Sequence, residues 1–414
     1  MSQEYPALRR NRDFVLLMAG QAGSRVGTSM TTLALVMLGF AVTRSSALAG
    51  VVSAVYGITM AVTMLPAGAI VDRTNRKTIM VLTSTIGAAV LASIPIAGLT
   101  AKVTYPHLII VAALAGVLSC FYDPAEMAAV KAVIPAQQLG SAMATNQARS
   151  AVAGLVGPPA SGVLYGIGRT IPFAVDALTY AVAAICTALV RQPLPPPTRK
   201  RPEQHLLRDV AEGIGWVRRA KTVRDLVLST MVSNCAFTGA STAVLLSLQQ
   251  NGTPSAQLGL LQAGYGIAAV VGSLIASRVL TRFRIGTAVR LALWAFAIAV
   301  LLAVLHGSIW WMGACIALAN LLVPSYNTAM SAYEMHVTPQ AMLGRSSAAT
   351  SFGRIVMIPI GSAVAGILVQ ATGRIPSLTV FAALMAVAAV LATLSKPIAA
   401  TPKTTELHAI AEIE

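Results

Sequence analysis

Two acidic residues lie three positions apart inside a long apolar stretch of this chain. Asp123 and Glu126 both fall within the run of residues 106–133. On a helix, this spacing places both carboxyl groups on one face. If the run crosses a membrane, such groups are costly to bury and are therefore functional candidates. Two roles remain open for each acid: a proton carrier in coupled transport, or a structural partner of nearby arginines.

Two arginines also lie inside apolar runs. Arg25 has no acid within its own run, residues 13–42, so we expect it to face a cavity or another helix, where it could receive an anionic group of a substrate. Arg149 enters the run 140–166 at about the depth of Asp123. A buried ion pair between Arg149 and Asp123 is the plainest interpretation.

Aromatic and methionine side chains in the apolar runs could line an adaptable cavity, or could simply pack helices together. The candidates are Tyr56, Met60, Met64, Phe237, Tyr265, Tyr326 and Tyr333. Two further acids receive structural interpretations. We expect Asp176, near the outer end of its run, to serve packing or loop anchoring, and Glu334, near the inner end of its run, to reach the membrane surface.

The composition excludes an ordinary soluble protein. The chain is 56% hydrophobic and 11% charged, whereas about a quarter of the residues of a soluble domain are charged. Its net charge of +16 does not indicate nucleic-acid binding, because the basic residues cluster between apolar runs. The four cysteines have no metal-ligand spacing, and no nucleophile motif or phosphate loop is evident, so we predict no metal, no cofactor and no enzymatic activity.

Apolar runs bounded by charged residues, glycine or proline predict twelve membrane-spanning helices, each close to or above the roughly 20 residues that a bilayer requires. Barrel strands would be shorter and would alternate. The first run is too long for a cleavable signal peptide and is expected to be retained. The predicted spans are 13–42, 47–71, 78–99, 106–133, 140–166, 171–191, 223–249, 256–281, 286–306, 308–333, 342–370 and 375–395.

The distribution of basic residues predicts the orientation. The turn Gly68–Lys77 carries three bases between two spans, and retained loops accumulate Lys and Arg on the cytoplasmic side. With an even number of spans, both termini are then cytoplasmic, in a multi-pass protein of the inner, cytoplasmic membrane. Four bases fall in the outer loops: Arg44, Lys102, Arg169 and Arg374.

The chain divides into two similar halves. The segment Pro135–Gly140 after the fourth span matches Pro339–Gly344 after the tenth. Two such halves are typical of an alternating-access transporter whose substrate site lies near the bilayer midplane. We predict a first six-helix bundle at 1–191, a cytoplasmic linker at 192–222 with an interfacial helix at Leu206–Arg219, a second bundle at 223–396 and a cytoplasmic tail at 397–414.

The basic turn resembles the signature loop between the second and third spans of the major facilitator superfamily, with Gly68, Asp72, Arg73, Arg76 and Lys77 in place. Asn75 stands where glycine is usual, and asparagine tolerates the same left-handed turn. Other segments resemble the branch that contains enterobactin exporters and macrolide efflux pumps. They are Leu8–Phe14, Ala19–Gln21, Asp123–Ala125, Leu139–Ala142 and Phe173–Leu178.

This resemblance implies an all-α integral membrane fold of twelve transmembrane helices in two pseudo-symmetric six-helix bundles. It also implies that the Gly68–Lys77 turn is a gate. Asp72 would meet the start of the eleventh span, and Arg73 or Arg76 would pair with an acid of the fourth span, for which Glu126 is a candidate. Gly157, Pro158 and Gly162 resemble the antiporter signature of exporters.

The sequence therefore predicts a secondary efflux transporter that exchanges protons for an amphipathic organic compound such as a drug, antibiotic or siderophore. Its expected partners are membrane lipids, protons and the small-molecule substrate, and we expect a monomer. Two alternatives remain: an importer or facilitator of a metabolite, which would tolerate Asp123→Asn and Glu126→Gln, and a transport-dead scaffold or sensor, whose cavity would lack a path between the two faces.

Overall fold

The computed structural model describes residue 8 and residues 11–100, 102–194 and 206–402, and within that part the chain is helical and contains no strand. Twelve of its helices are long and apolar enough to cross a membrane. In chain order the helices are α1 (Arg12–Thr43), α2 (Ser46–Arg73), α3 (Arg76–Leu99), α4 (Tyr105–Val133), α5 (Leu139–Ile167), α6 (Ile171–Ala188), α7 (Leu206–Arg219), α8 (Lys221–Gln250), α9 (Ser255–Arg282), α10 (Ile285–Leu305), α11 (Ile309–Val337), α12 (Leu343–Thr372), α13 (Arg374–Leu394) and α14 (Lys396–Ala399). All twelve predicted spans correspond to helices, which confirms the predicted fold class.

Local sequence explains where several helices begin. The side chain of Asn11 accepts a hydrogen bond from the backbone N–H of Phe14, and Asn75 accepts from Lys77 and Thr78. Asn75 has φ −62° and ψ 117°, so the predicted left-handed turn at this residue is wrong. Asparagine is instead used here as an N-cap, which satisfies backbone donors that the first turn of α3 leaves free.

The repeated sequence segments fold alike. Ala136–Gln138 and Gln340–Met342 each form one 3₁₀ turn, and each turn leads directly into a long helix, α5 or α12. The similarity detected in the sequence is therefore a similarity of local structure.

The described helices form two compact units, and the first comprises the described residues within 1–44, 55–203 and 254–263. In this unit α6 packs on α1 and α3, and α1 also packs on α5. Small residues permit the closest approaches: a Cβ added at Gly157 would lie 2.6 Å from the Cβ of Ser29, and one at Gly162 would lie 3.0 Å from the Cα of Gly259. Such contacts are typical of helices that associate within a membrane.

The second unit comprises residues 45–54, 204–253 and 264–414. Here α8 packs on α12 and α13, and α10 packs on α11 and α13. The helix predicted at Leu206–Arg219 is α7, which lies against α12, with an ion pair of 2.7 Å between Arg345 and Glu212. In the predicted tail, Ile398 is buried and the hydroxyl of Thr401 accepts a hydrogen bond from the backbone N–H of Gly286. Residues 403–414 of the tail and residues 195–205 of the linker lie outside the described residues.

One glycine of the second unit provides a test of this packing. A Cβ at Gly239 would overlap the ring of Phe381, whereas a Cβ at Gly264 would meet no atom within 4 Å. We expect Gly239→Ala to lower the free energy of unfolding by about 1–3 kcal/mol through overpacking. The matched control Gly264→Ala should leave it unchanged or raise it slightly, because alanine favours a helix. Thermal unfolding of the purified protein measures both, and equal behaviour of the two variants would contradict this packing.

Candidate functional site

A cavity of about 500 Å³ opens within the first unit between α1, α2, α4, α5 and α6. Tyr56, Met60 and Met64, three of the predicted cavity residues, line it together with Arg25 and Asp123. Further lining residues carry hydroxyl groups: Ser24, Thr28, Ser29, Thr32, Ser119, Tyr122, Ser150 and Tyr180. The wall therefore offers both apolar contact and hydrogen bonding to a small organic molecule.

Four charged side chains form a connected network beside this cavity. Arg25 Nη2 lies 2.8 Å from Asp123 Oδ1 and 3.5 Å from Glu126 Oε2. Arg149 pairs with the other oxygen of Glu126. Because the network contains two acids and two bases, it is neutral when all four groups are charged. Glu126 lies at its centre and contacts both arginines.

The two acids share a face of α4, as their spacing predicted, but their surroundings differ. The side chain of Asp123 is 55% exposed and faces the cavity, while that of Glu126 is 2% exposed. Arg149 is 8% exposed and Arg25 31%. Asp123 is therefore the acid that a molecule in the cavity can reach, and Glu126 is held behind it.

The predicted Arg149–Asp123 ion pair is wrong, because Arg149 pairs with Glu126. The direction of helical side chains explains the difference. Side chains lean toward the N-terminus of their helix, and α4 and α5 are consecutive helices joined by a short turn. Arg149 therefore leans toward the turn that joins them, whereas Glu126 leans away from it, and the two groups meet although their Cα atoms lie at different depths.

Sequence reasoning missed two polar residues of the network. Arg149 donates to the side-chain oxygens of Gln21 and Asn146, each at 2.5 Å. Both residues carried a usable signal: Gln21 lies four positions before Arg25 and Asn146 three before Arg149, so each shares a helix face with a charged residue. These amides fix the guanidinium of Arg149 against Glu126.

The basic turn lies beside a second cavity of about 660 Å³, which Arg76, Lys131, Met127 and also Asp123 line. Asp123 thus borders both cavities. Lys77 donates to the carbonyl of Val190 at 2.8 Å, which connects the start of α3 to the segment that follows α6.

The structure shows only part of the predicted gate. Among the described ion pairs, Glu126 contacts Arg25 and Arg149, and none joins it to Arg73 or Arg76. A Cβ at Gly68 would meet no atom within 4 Å. The side chain of Asp72 lies outside the described residues. The gate role of this turn therefore stays a prediction.

The other predicted cavity residues belong to the second unit and pack within it. The rings of Phe237 and Phe296 lie 6.3 Å apart, and those of Phe296 and Tyr326 lie 6.5 Å apart. Tyr326 and Tyr265 are buried, and Tyr333 packs against the same apolar core as Phe237. The described contacts of Phe237, Tyr326 and Tyr333 are therefore helix-packing contacts, and a cavity role for these aromatic residues stays a prediction.

Glu334 does not reach the surface of the unit, so that expectation was wrong. It is buried, pairs with Arg354 at 3.1 Å and accepts a hydrogen bond from Thr350 at 2.5 Å. The guanidinium of Arg354, on the next helix, compensates the charge of the Glu334 carboxylate and so stabilises it in the interior of the unit. Asp176 is also buried, between Thr31 and Thr179.

The glycines and prolines of the antiporter-like motif lie where α5 meets α1 and the first turns of α9, all within the first unit. Gly157 faces α1 at Ser29, and Gly162 faces Gly259 of α9. The carbonyl of Pro158 lies 2.5 Å from where a Cβ of Gly259 would be. Side chains at either glycine would separate these helices.

Two solved membrane transporters share this architecture. The nucleoside transporter NupG superposes with a TM-score of 0.71 at 13% identity, covering 91% of this chain and 98% of that one. An inward-facing, unoccupied bacterial homolog of the human lysosomal transporter Spinster superposes with a TM-score of 0.70 at 16% identity, covering 93% and 97%. At these identities the likeness shows the fold alone.

Curated relatives resemble parts of the chain. It is 30% identical over 277 residues to the "Uncharacterized MFS-type transporter y4rN" of Sinorhizobium fredii, covering 65% of this chain and 66% of that protein. It is 25% identical over 216 residues to Macrolide efflux protein A of Streptococcus pyogenes, covering 52% and 53%. The chain thus matches between about half and two thirds of the length of these relatives.

A family model gives the broadest match. The model of the Major Facilitator Superfamily matches residues 17–240 and 226–411, which together include nearly the whole chain. This multi-pass membrane protein, whose described part contains twelve candidate spans, belongs to the Major Facilitator Superfamily.

Proposed function

We propose that this chain is a secondary active exporter that exchanges protons for an amphipathic organic compound by alternating access. The observation that carries the proposal is the cavity of the first unit, with the Arg25–Asp123 ion pair on its wall. A facilitator that couples to no ion needs no such pair of opposite charges within the membrane, where each charge is costly. An exporter can use the pair as a switch.

The wall chemistry indicates the substrate class. Methionine side chains adapt to irregular apolar shapes, and Met60 and Met64 both line the cavity. The serine and threonine hydroxyls can bind ether, ester or hydroxyl oxygens of a substrate. The volume is within the range of sites for drug-sized molecules. The similarity to Macrolide efflux protein A supports the same class, and a macrolide is therefore the first compound to test.

The charge network supplies a coupling step. When Asp123 takes a proton, the ion pair with Arg25 is lost and only a hydrogen bond from the guanidinium to a neutral carboxyl group remains, which is weaker. Arg25 is already 3.5 Å from Glu126 and can move to that carboxylate, so it does not remain unpaired. Asp123 then has no cation beside it and changes its affinity for whatever occupies the cavity. Proton binding and substrate binding are linked in this way, as antiport requires.

Glu126 has the supporting role in this step. It is buried and pairs with Arg149, whose other contacts are the amides of Gln21 and Asn146. Of the two roles that the sequence left open, we assign proton carrying to Asp123 and arginine binding to Glu126.

Cells provide the test of function. We expect bacteria that express the chain to accumulate less of a radiolabelled macrolide than cells with an empty vector, and a protonophore to restore accumulation. Asp123→Asn should accumulate the compound like the vector control at equal protein level. Greater accumulation on expression would instead indicate import, and export that persists without a proton gradient would remove the antiport mechanism.

A further inference from the structure

Asp176 on α6 is an acid that neither the charge network nor the coupling step uses. It is 1% exposed. The hydroxyl of Thr31 on α1 donates to one carboxyl oxygen at 2.5 Å, and that of Thr179 lies 3.1 Å from the other. A Cβ at residue 27 would overlap Asp176 Oδ1, so Gly27 provides the space that the carboxyl group fills. The chain thus builds a fitted pocket, lined by hydroxyl groups, for one carboxyl group.

No basic side chain accompanies this carboxyl group in the described part of the chain. Among the described titratable groups, the phenols of Tyr180 on α6 and Tyr56 on α2 are within electrostatic reach of it. The helices α1, α3 and α5 pack against α6 but bring no charged side chain to the carboxyl group; α1 contributes the Thr31 hydroxyl. An ionised carboxylate at such a place lacks the cation that usually accompanies a buried acid.

The hydroxyl partners suit two protonation states of the carboxyl group. A threonine hydroxyl donates one hydrogen bond and also accepts, so it can pair with a carboxylate or with a carboxylic acid. Asp123 and Glu126, in contrast, are bound to arginines and must give up an ion pair when they take a proton. Asp176 can change its protonation state while its neighbours stay in place.

The pocket of Asp176 lies one helical turn from the cavity wall. Thr28 and Thr32 line the cavity on either side of Thr31 along α1, and Tyr180 lines it one turn after Asp176. The hydroxyls of Thr28 and Tyr180 lie 3.2 Å apart. From this geometry we propose that Asp176 is a second proton-binding site of the transport cycle, separate from Asp123. The proposal rests on the proton-coupled function given above.

Infrared spectroscopy of the purified protein tests proton binding without transport. We expect the difference spectrum between high and low pH to contain a carboxylic-acid carbonyl band that Asp176→Asn removes. Asparagine has nearly the same shape and still accepts a hydrogen bond from Thr31, so the fold should be retained. The control Asp225→Asn changes an acid outside the cavity and should leave this band in place. A difference spectrum that Asp176→Asn does not alter would overturn the proposal.

A second variant separates proton binding from helix packing. Thr31→Val removes one hydroxyl partner but keeps the carboxyl group, and we expect it to move the pH at which the band appears. If Asp176 only joins α1 to α6, both variants should lower thermal stability and leave the pH difference spectrum unchanged. If the wild-type protein shows no proton-coupled transport, the proposed function fails, yet the infrared result still decides whether Asp176 binds a proton.

Discussion

Arg149→Met is expected to lower the free energy of unfolding by about 3–5 kcal/mol, because it leaves the buried carboxylate of Glu126 without its main cation. Glu126 is 2% exposed and Arg149 8%, so little water can replace the lost partner. Arg25, 3.5 Å from Glu126, compensates the charge of this carboxylate only in part, since it also pairs with Asp123. Chemical or thermal unfolding of the purified variant measures the loss.

The double variant Arg149→Met with Glu126→Gln is the control for this prediction. Removing both charges leaves no unpaired buried ion, and replacing a whole buried pair by neutral groups is often close to neutral in free energy. We therefore expect the double variant to recover most of the stability that the single variant loses. Equal losses in the two variants would show that Arg149 acts through packing and not through its charge.

The second large effect concerns coupling at Asp123. We expect Asp123→Asn to reduce transport driven by a pH gradient by about tenfold or more, a change typical of losing a coupling free energy of about 1–3 kcal/mol. Asparagine keeps the shape of the side chain but cannot exchange a proton. Initial rates in vesicles with and without an imposed pH gradient measure the effect.

Asp225 offers a matched control on another helix. It lies at the start of α8, pairs with its neighbour Arg224 at 2.9 Å and accepts a hydrogen bond from Ser395. Asp225→Asn removes one carboxylate outside the cavity, and we expect wild-type dependence on the pH gradient. If both variants lose transport equally, the loss reflects general damage, and if neither does, Asp123 is not the coupling residue.

The sequence predicted the helices and the shared face of the two α4 acids because both depend on local periodicity. Apolar length alone determines where a chain can cross a bilayer, and the spacing of Asp123 and Glu126 determines their common side. The partner of Arg149 could not be obtained from depth along the helices. The pairing depends on the direction in which helical side chains point. That direction brings Arg149 to Glu126, while Asp123 pairs with Arg25.

The composition of the cavity depends on tertiary packing and could be predicted only in part. Tyr56 and Met60 line it, but Phe237 and Tyr326 pack within the second unit, although all four sit in apolar helices. Which face of a membrane helix meets a cavity is not encoded in its apolar periodicity, because lipid and protein interior are equally apolar. The burial of Glu334 could not be predicted either, because only the fold shows that Arg354 lies within reach of its carboxylate.

Simultaneous recording of substrate and proton movement in proteoliposomes tests the central claim most directly. The purified chain would be reconstituted with a pH-sensitive dye inside, and the compound identified by the accumulation assay would be added outside. We predict that entry of the compound is accompanied by exit of protons, that an imposed pH gradient drives it, and that Asp123→Asn abolishes the proton signal. Substrate movement at the same rate with no proton movement would contradict proton-coupled exchange.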